Sequence, residues 1–190
     1  MKYGELDMEK MTLQKSLFNI PFWKIQTINF EEKKKELVEL LKSYPEEKKG
    51  IQDFSTNRHN DRSSLIKPFV SIMMKELEGF SIEIKKTFAI TEVWSVSYAQ
   101  GDYQSPHNHS SMGLSAILYL DLPTGSSVTT FIQPWNDYEI DSVPHYSDVS
   151  TAEGDIIIVP SFVLHFSTPN KSKKTKRIVS WDMKILSDEQ

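Results

Sequence analysis

The sequence predicts a mainly β, α+β fold in which helices lie against one face of an antiparallel β-sandwich. Three observations lead there. Apolar residues recur at a helical period up to about residue 78 and alternate from residue 81 onward. The alternating runs are short and separated by turn residues, as in sandwiches and barrels. Helices precede strands, an order that suits a helix-backed antiparallel sheet better than a parallel α/β one.

Taken in order, "LFNIPFWKIQTI" (17–28) is rich in β-branched and aromatic residues and predicts one or two short strands broken at Pro21. "NFEEKKKELVELLKSY" predicts a helix with Asn29 as cap and Glu32 as capping-box partner. Leu37, Val38, Leu40 and Leu41 form its apolar face. Residues 45–62 are polar and read as loop, with His59 at the surface. A second helix is expected from about Ser64 to Glu78, tolerant of Pro68 and stopped by Gly79. Its inward residues are Leu65, Phe69, Ile72, Met73 and Leu77. "TFAITEVWSVSYA" places Phe88, Ile90, Trp94, Val96 and Tyr98 on one face of a strand. Further strands are expected over 113–123, 128–134, 154–160, 163–169 and 177–185.

Length and composition narrow the function. A chain of 190 residues fits a single domain, 1–190, with a support segment over 1–80 and a β core over 81–186. The formal charge of −4 argues against nucleic acid as a partner, because phosphate binding wants a basic face. With no cysteine, disulfides and thiolate metal sites are excluded, and a reducing compartment is expected. "MKYGELDMEKMTLQK" has no apolar core of a signal peptide, and no run is long enough to span a bilayer. The expected location is the cytoplasm, with no membrane partner.

Five histidines occur in the chain, and two of them, His107 and His109, stand one residue apart in "SPHNHSS". In extended backbone, residues i and i+2 face the same side, so the pair is half of a metal site or two ordinary surface residues. His165 lies in apolar "FVLHF", where it is a third ligand or a satisfied core residue. Arg177 opens the last strand beside Ile178, Val179 and Trp181 and requires an anionic partner. That partner is a structural Asp or Glu, or a substrate carboxylate that the planar guanidinium grips with two hydrogen bonds.

The order "WSVSYAQGDYQSPHNHS", "LSAILYLDLP", "EGDIIIVPSFVLHFSTPNKSKKTKRIVSW" resembles the iron(II)/2-oxoglutarate-dependent oxygenases, most of all the prolyl-hydroxylase-like members common in phages and bacteria. The resemblance covers nearly the whole chain. Its specific part is His-x-His, a Gly-Asp before a strand, Pro-x-x-x-x-His, and Arg about a dozen residues on. It implies a double-stranded β-helix, or jelly roll, with two or so N-terminal supporting helices and the metal site in the 81–186 core. It also implies iron(II) and 2-oxoglutarate as cofactors. The activity it implies is a hydroxylase coupling decarboxylation of 2-oxoglutarate by dioxygen to C–H oxidation of a small-molecule or peptidyl substrate. His107 matches the first metal ligand and His165 the distal one. Arg177 matches the residue that binds the far carboxylate of 2-oxoglutarate, and Tyr98 and Tyr119 fall where the family often surrounds that cosubstrate.

Two positions depart from the family. Position 109, usually the carboxylate of His-x-Asp, is His. After Arg177 the residue on its own face is Val179, and Ser180 points away. His109 is expected to be a third ligand. The alternatives are that His109 sits beside the metal while water or another acid, such as Asp102, completes the sphere, or that the site binds metal without oxygenation. Two readings compete with the oxygenase: a cupin-type three-His dioxygenase without 2-oxoglutarate, which has no use for a cation at 177, and a non-enzymatic jelly-roll metal-binding module. The oxygenase reading requires His107, His165 and Arg177 to converge on one cavity.

Residues 134–153, which include His145, are expected to form a lid, with Trp135 or Tyr138 touching substrate. "KSKKTKR" (171–177) is a solvated turn or a means of attracting a dianionic cosubstrate. Asp155 is expected to close a turn.

Overall fold

The computed structural model describes residues 13–17, 20–48, 53–58, 63–133 and 146–186. Among these residues two helices, α1 (Phe30–Lys42) and α2 (Ser63–Ile84), accompany eleven strands. These are β1 (Leu13–Leu17), β2 (Ile20–Gln26), β3 (Ser55–Thr56), β4 (Phe88–Tyr98), β5 (Gln104–His107) and β6 (Leu114–Asp121). They continue as β7 (Thr129–Ile132), β8 (Tyr146–Asp148), β9 (Asp155–Pro160), β10 (His165–Ser167) and β11 (Lys176–Ile185). A large sheet runs β1-β2-β9-β6-β11-β4-β3 and a small one β5-β10-β7-β8. Among the described residues, all neighbouring strands pair antiparallel. No helix among the described residues is long and apolar enough to cross a membrane.

Two apolar layers follow. One lies between the helices and the large sheet, where Leu65, Phe69, Met73 and Phe80 meet Val93, Leu118, Val179 and Trp181. The other lies between the sheets and holds Trp94, Tyr98, Ile117, Tyr119, Phe131 and Ile178.

Local differences from the sequence reading have physical causes. Pro21 does not break β2. It faces Ser16 of β1, and pairing with β9 begins only at Trp23, so its missing N–H costs that ladder nothing. Asn29 precedes α1 in the left-handed conformation, φ 51°, and makes no side-chain cap bond. Gly79 does not stop α2. The helix runs on because Phe80 packs on Trp23 and Phe88, at ring distances of 5.4 and 5.8 Å.

The largest difference is in β4. Glu92 faces Asp182 and Ile90 faces Met183, which leaves Thr91 as an extra residue. This bulge flips the alternation. Phe88 and Ile90 therefore join the helix-side layer, and Trp94, Val96 and Tyr98 join the inter-sheet layer. They do not share one face.

Candidate metal centre

The open end of the inter-sheet layer is a cavity of about 690 Å3. All three predicted ligand histidines line it. His107 ends β5 and His165 begins β10, and the two are direct cross-strand partners despite their separation in sequence. His109 lies beyond the end of β5, so strand alternation is not what aims it. Its backbone N–H donates to the Ser161 carbonyl at 3.0 Å, which draws the loop onto the start of the next turn. Gly113 lets β6 begin close by: at φ 91°, a Cβ there would stand 2.4 Å from the Met183 carbonyl oxygen.

The imidazoles converge. Ring centroids are 4.4 Å apart for His107–His165, 5.1 Å for His109–His165 and 5.5 Å for His107–His109. One ring nitrogen from each lies within 4.8 Å of the others. In each ring Nδ1 is already committed. His107 Nδ1–H donates to the Ser105 carbonyl and His165 Nδ1–H to the Val163 carbonyl, both at 2.9 Å. His109 Nδ1–H donates to Asp182 Oδ1 at 2.7 Å. A carbonyl only accepts, so these bonds fix the tautomer and leave Nε2 with its lone pair. The His107 lone pair accepts from the Gln104 amide at 3.2 Å, and Tyr98 O–H donates to the other end of that amide at 2.6 Å.

The electrostatics suit a cation. Burial, then the neighbouring His107, pushes His165 down to about 3. Burial also lowers His107, joined by the charges of His109 and Arg58. Both are thus neutral donors at neutral pH, as a ligand must be. Asp182 is buried, which works to raise its carboxyl, yet hydrogen bonds from His109 and Ser115 and the charge of Arg58 hold it below the ordinary carboxylate range. The arrangement passes the test for a divalent metal: tautomer-fixed lone pairs on three sides, supported from behind.

The expected carboxylate site comes out differently. The Arg177 side chain is about a third exposed, with Nη1 3.8 Å from Asp121 Oδ2 and Nε 3.4 Å from Ser97 Oγ. It does not line the cavity. Convergence of Arg177 with the histidines is therefore not what the structure contains. The neighbouring residue takes the inner face. Lys176 is fully buried, its Nζ donates to Ser167 Oγ at 2.6 Å and to the Ser127 carbonyl at 3.1 Å, and it sits 4.2 Å over the Tyr98 ring. Ser167 and Tyr98 line the cavity. Burial lowers the Lys176 ammonium to about 8. Both of its acceptors are neutral, and the ammonium lies behind Ser167 and Tyr98, since Lys176 itself, like Arg177, does not line the cavity.

Other expectations divide. Tyr98 is at the cavity wall. Tyr119 is buried in the inter-sheet layer and its hydroxyl accepts from Thr129 N–H at 3.0 Å. Asp102 binds Lys48 at 2.8 Å and the Ala99 N–H at 3.0 Å, so it closes a turn and is not the acid of the site. Asp155 accepts from Ala152 N–H at 2.7 Å, as a turn closer does. Part of the expected lid is sheet, because β8 pairs with β7. His59, Trp135, Tyr138 and His145 lie outside the described residues.

The sequence reading missed Lys176, Asp182 and Arg58. Arg58 lines the cavity, with its guanidinium 4.3 Å over the Trp94 ring. Lys176, Ile178, Ser180 and Asp182 share one face of β11, and Arg177, Val179 and Trp181 the other.

With this geometry in hand, comparison with known proteins is informative. A family model described as "Putative 2OG-Fe(II) oxygenase" matches residues 92–182, the segment that holds all three histidines. No curated protein matches. Solved structures do. An oxidoreductase of the 2OG-Fe(II) oxygenase family from Burkholderia pseudomallei superposes with TM-score 0.64 at 11% identity, over 86% of this chain and 84% of that one. HygX from Streptomyces hygroscopicus, with nickel, 2-oxoglutarate and hygromycin B bound, gives 0.62 at 10% identity, over 86% and 82%. A Pseudomonas putida prolyl-4-hydroxylase gives 0.56 at 13% identity, over 87% and 93%. At such identities the structures establish the shared fold, a double-stranded β-helix.

Proposed function

We propose that this chain is an iron(II)/2-oxoglutarate-dependent oxygenase, a reading that the family-model match over residues 92–182 supports, and that it is a hydroxylase whose iron is held by His107, His109 and His165. The observation that carries this reading is the convergence of three Nε2 lone pairs, with every Nδ1 tied off, inside one cavity. Bound iron(II) supplies the redox chemistry that couples decarboxylation of 2-oxoglutarate by dioxygen to oxidation of a substrate C–H bond.

The chain's own residues do the binding and orienting. Lys176, in place of Arg177, receives the far carboxylate of 2-oxoglutarate. A buried ammonium with neutral acceptors gains most from an anion, because charge-assisted bonds are strongest where water is excluded. Tyr98 borders that position, through its ring against Lys176 and its hydroxyl on Gln104. Tyr119 acts one layer back by holding the Thr129 N–H of β7. Arg58 and Trp94 wall the side next to His109. A cavity of about 690 Å3 has room for the cosubstrate and the reacting part of a small-molecule or peptidyl substrate. Trp135 and Tyr138 are proposed to meet that substrate. We place the enzyme in the cytoplasm, in keeping with a chain without cysteine.

A three-His donor set also fits a cupin-type dioxygenase without 2-oxoglutarate, and Lys176 separates the two readings. Iron(II) added anaerobically, then 2-oxoglutarate, should give a metal-to-ligand charge-transfer band in the native protein and none in His165→Ala. Succinate release under oxygen then tests turnover. No band in the native protein overturns the reading.

A further inference from the structure

We propose that Asp182 supplies, from behind His109, the negative charge that a carboxylate at position 109 would place on the metal, so that His109 and Asp182 form one anionic ligand unit. This rests on the metal position proposed above. The three histidines differ in what holds Nδ1. His107 and His165 use backbone carbonyls, and His109 alone uses a carboxylate. The histidine that stands where the family has its acid is therefore the one backed by an acid.

The geometry aims the charge. Asp182 Oδ1 accepts from His109 Nδ1–H at 2.7 Å and from Ser115 O–H at 2.6 Å. The two side chains are only 3% and 17% exposed for His109 and Asp182, so water screens the pair little. Arg58 Nη2 stands farther off, 3.9 Å from Oδ2, and is also 3.4 Å from Glu92. A buried carboxylate needs strong partners, and its shortest contacts are the Ser115 hydroxyl and the His109 Nδ1–H. Such a partner makes Nε2 more basic and fixes the ring. The charge count also closes. Three neutral imidazoles leave a divalent ion at +2, and Asp182 brings the unit to +1, the value of two His and one carboxylate.

Cobalt(II) is the probe, because it reports affinity and ligand field without turnover. Asp182→Asn keeps an acceptor oxygen for His109 and removes the charge. It should weaken cobalt(II) binding by ~10-fold or more and shift the d–d bands. With metal saturated, its 2-oxoglutarate affinity should hold or rise, since a more positive ion favours a dianion. Ser115→Ala removes a hydrogen bond and keeps the charge, so it should cost less than about threefold. His109→Asp combined with Asp182→Asn moves the charge onto the metal and should restore cobalt(II) affinity to within about threefold of native. Metal-free melting temperatures of each variant report folding separately. An Asp182→Asn variant within about twofold of native with unshifted bands, or a double variant as weak as Asp182→Asn, overturns the proposal. His109→Ala and His165→Ala test the metal position itself. If both bind cobalt(II) like native, the three-histidine site fails and this proposal with it.

Discussion

The two faces of β4, β6 and β11 are made by the same strands and serve opposite ends. Toward the helices, Val93, Ala116, Leu118, Val179 and Trp181 bury apolar surface against α2. Toward the small sheet, the same strands bury Ser115, Lys176 and Ser180 among Trp94, Tyr98 and Ile178. Buried polar groups contribute less to stability than apolar ones of similar size and must be hydrogen-bonded to persist. A sheet with one dry face can carry a polar second face, and a single residue step along β11 moves a side chain from stability to chemistry.

The largest effects should separate the faces cleanly. Trp181→Ala empties a site packed 5.0 Å from the Phe69 ring and should destabilise the fold by about 3–5 kcal/mol. Denaturant unfolding reads that loss, and the molecules that remain folded should still bind one metal. His165→Ala should do the reverse: calorimetry with cobalt(II) should find no tight site, and the melting temperature should fall far less than for Trp181→Ala. Equal destabilisation by the two would break the comparison.

Lys176→Ala comes next. Loss of a buried charge-assisted bond costs about 1.5–3 kcal/mol, roughly 10–100-fold in 2-oxoglutarate affinity, read from the charge-transfer band. Metal affinity should hardly change. The same lysine predicts a smaller effect of pH. Burial lowers its ammonium to about 8 in the folded protein, against 10.5 for the free side chain. Between those values the unfolded chain binds the extra proton, so this group's contribution makes stability rise with pH from about 8 to 10.5. Cosubstrate affinity should move the other way and weaken above about 8, because the neutral amine no longer pairs with a carboxylate. Lys176→Arg, which stays charged, should remove that break.

The sequence made the helix-then-sheet order and the histidine set legible for a simple reason: both depend on local period and on residue type. What it hid depends on register. The bulge at Thr91 leaves no mark in "FAITEVWSV", so Phe88 and Trp94 read as one face when they serve two. In "TKRIVSWDM" both faces of β11 are buried, so hydrophobic alternation does not say which parity faces the cavity. Only pairing with β4 and β6 decides whether Lys176 or Arg177 takes the inner face. Asp182 was hidden because its partner, His109, is 73 residues away and reaches it by a loop, not by strand pairing.

The smallest predicted effect is therefore among the most discriminating. Arg177→Ala removes a guanidinium that is about a third exposed and 3.8 Å from Asp121. Pairs of that kind are worth about 0–1 kcal/mol, because solvent screens them and two long side chains must be held still. Stability should drop by no more than that, and 2-oxoglutarate affinity should change by less than about twofold. Lys176 and Arg177 are adjacent cations on one strand, so a general loss of positive charge near the cavity would affect both variants alike. Loss confined to Lys176→Ala would mean that the cosubstrate reads one face of β11. A comparable loss in Arg177→Ala would mean that the guanidinium swings inward when the anion binds, and the separation of the two faces would not hold at this end of the strand.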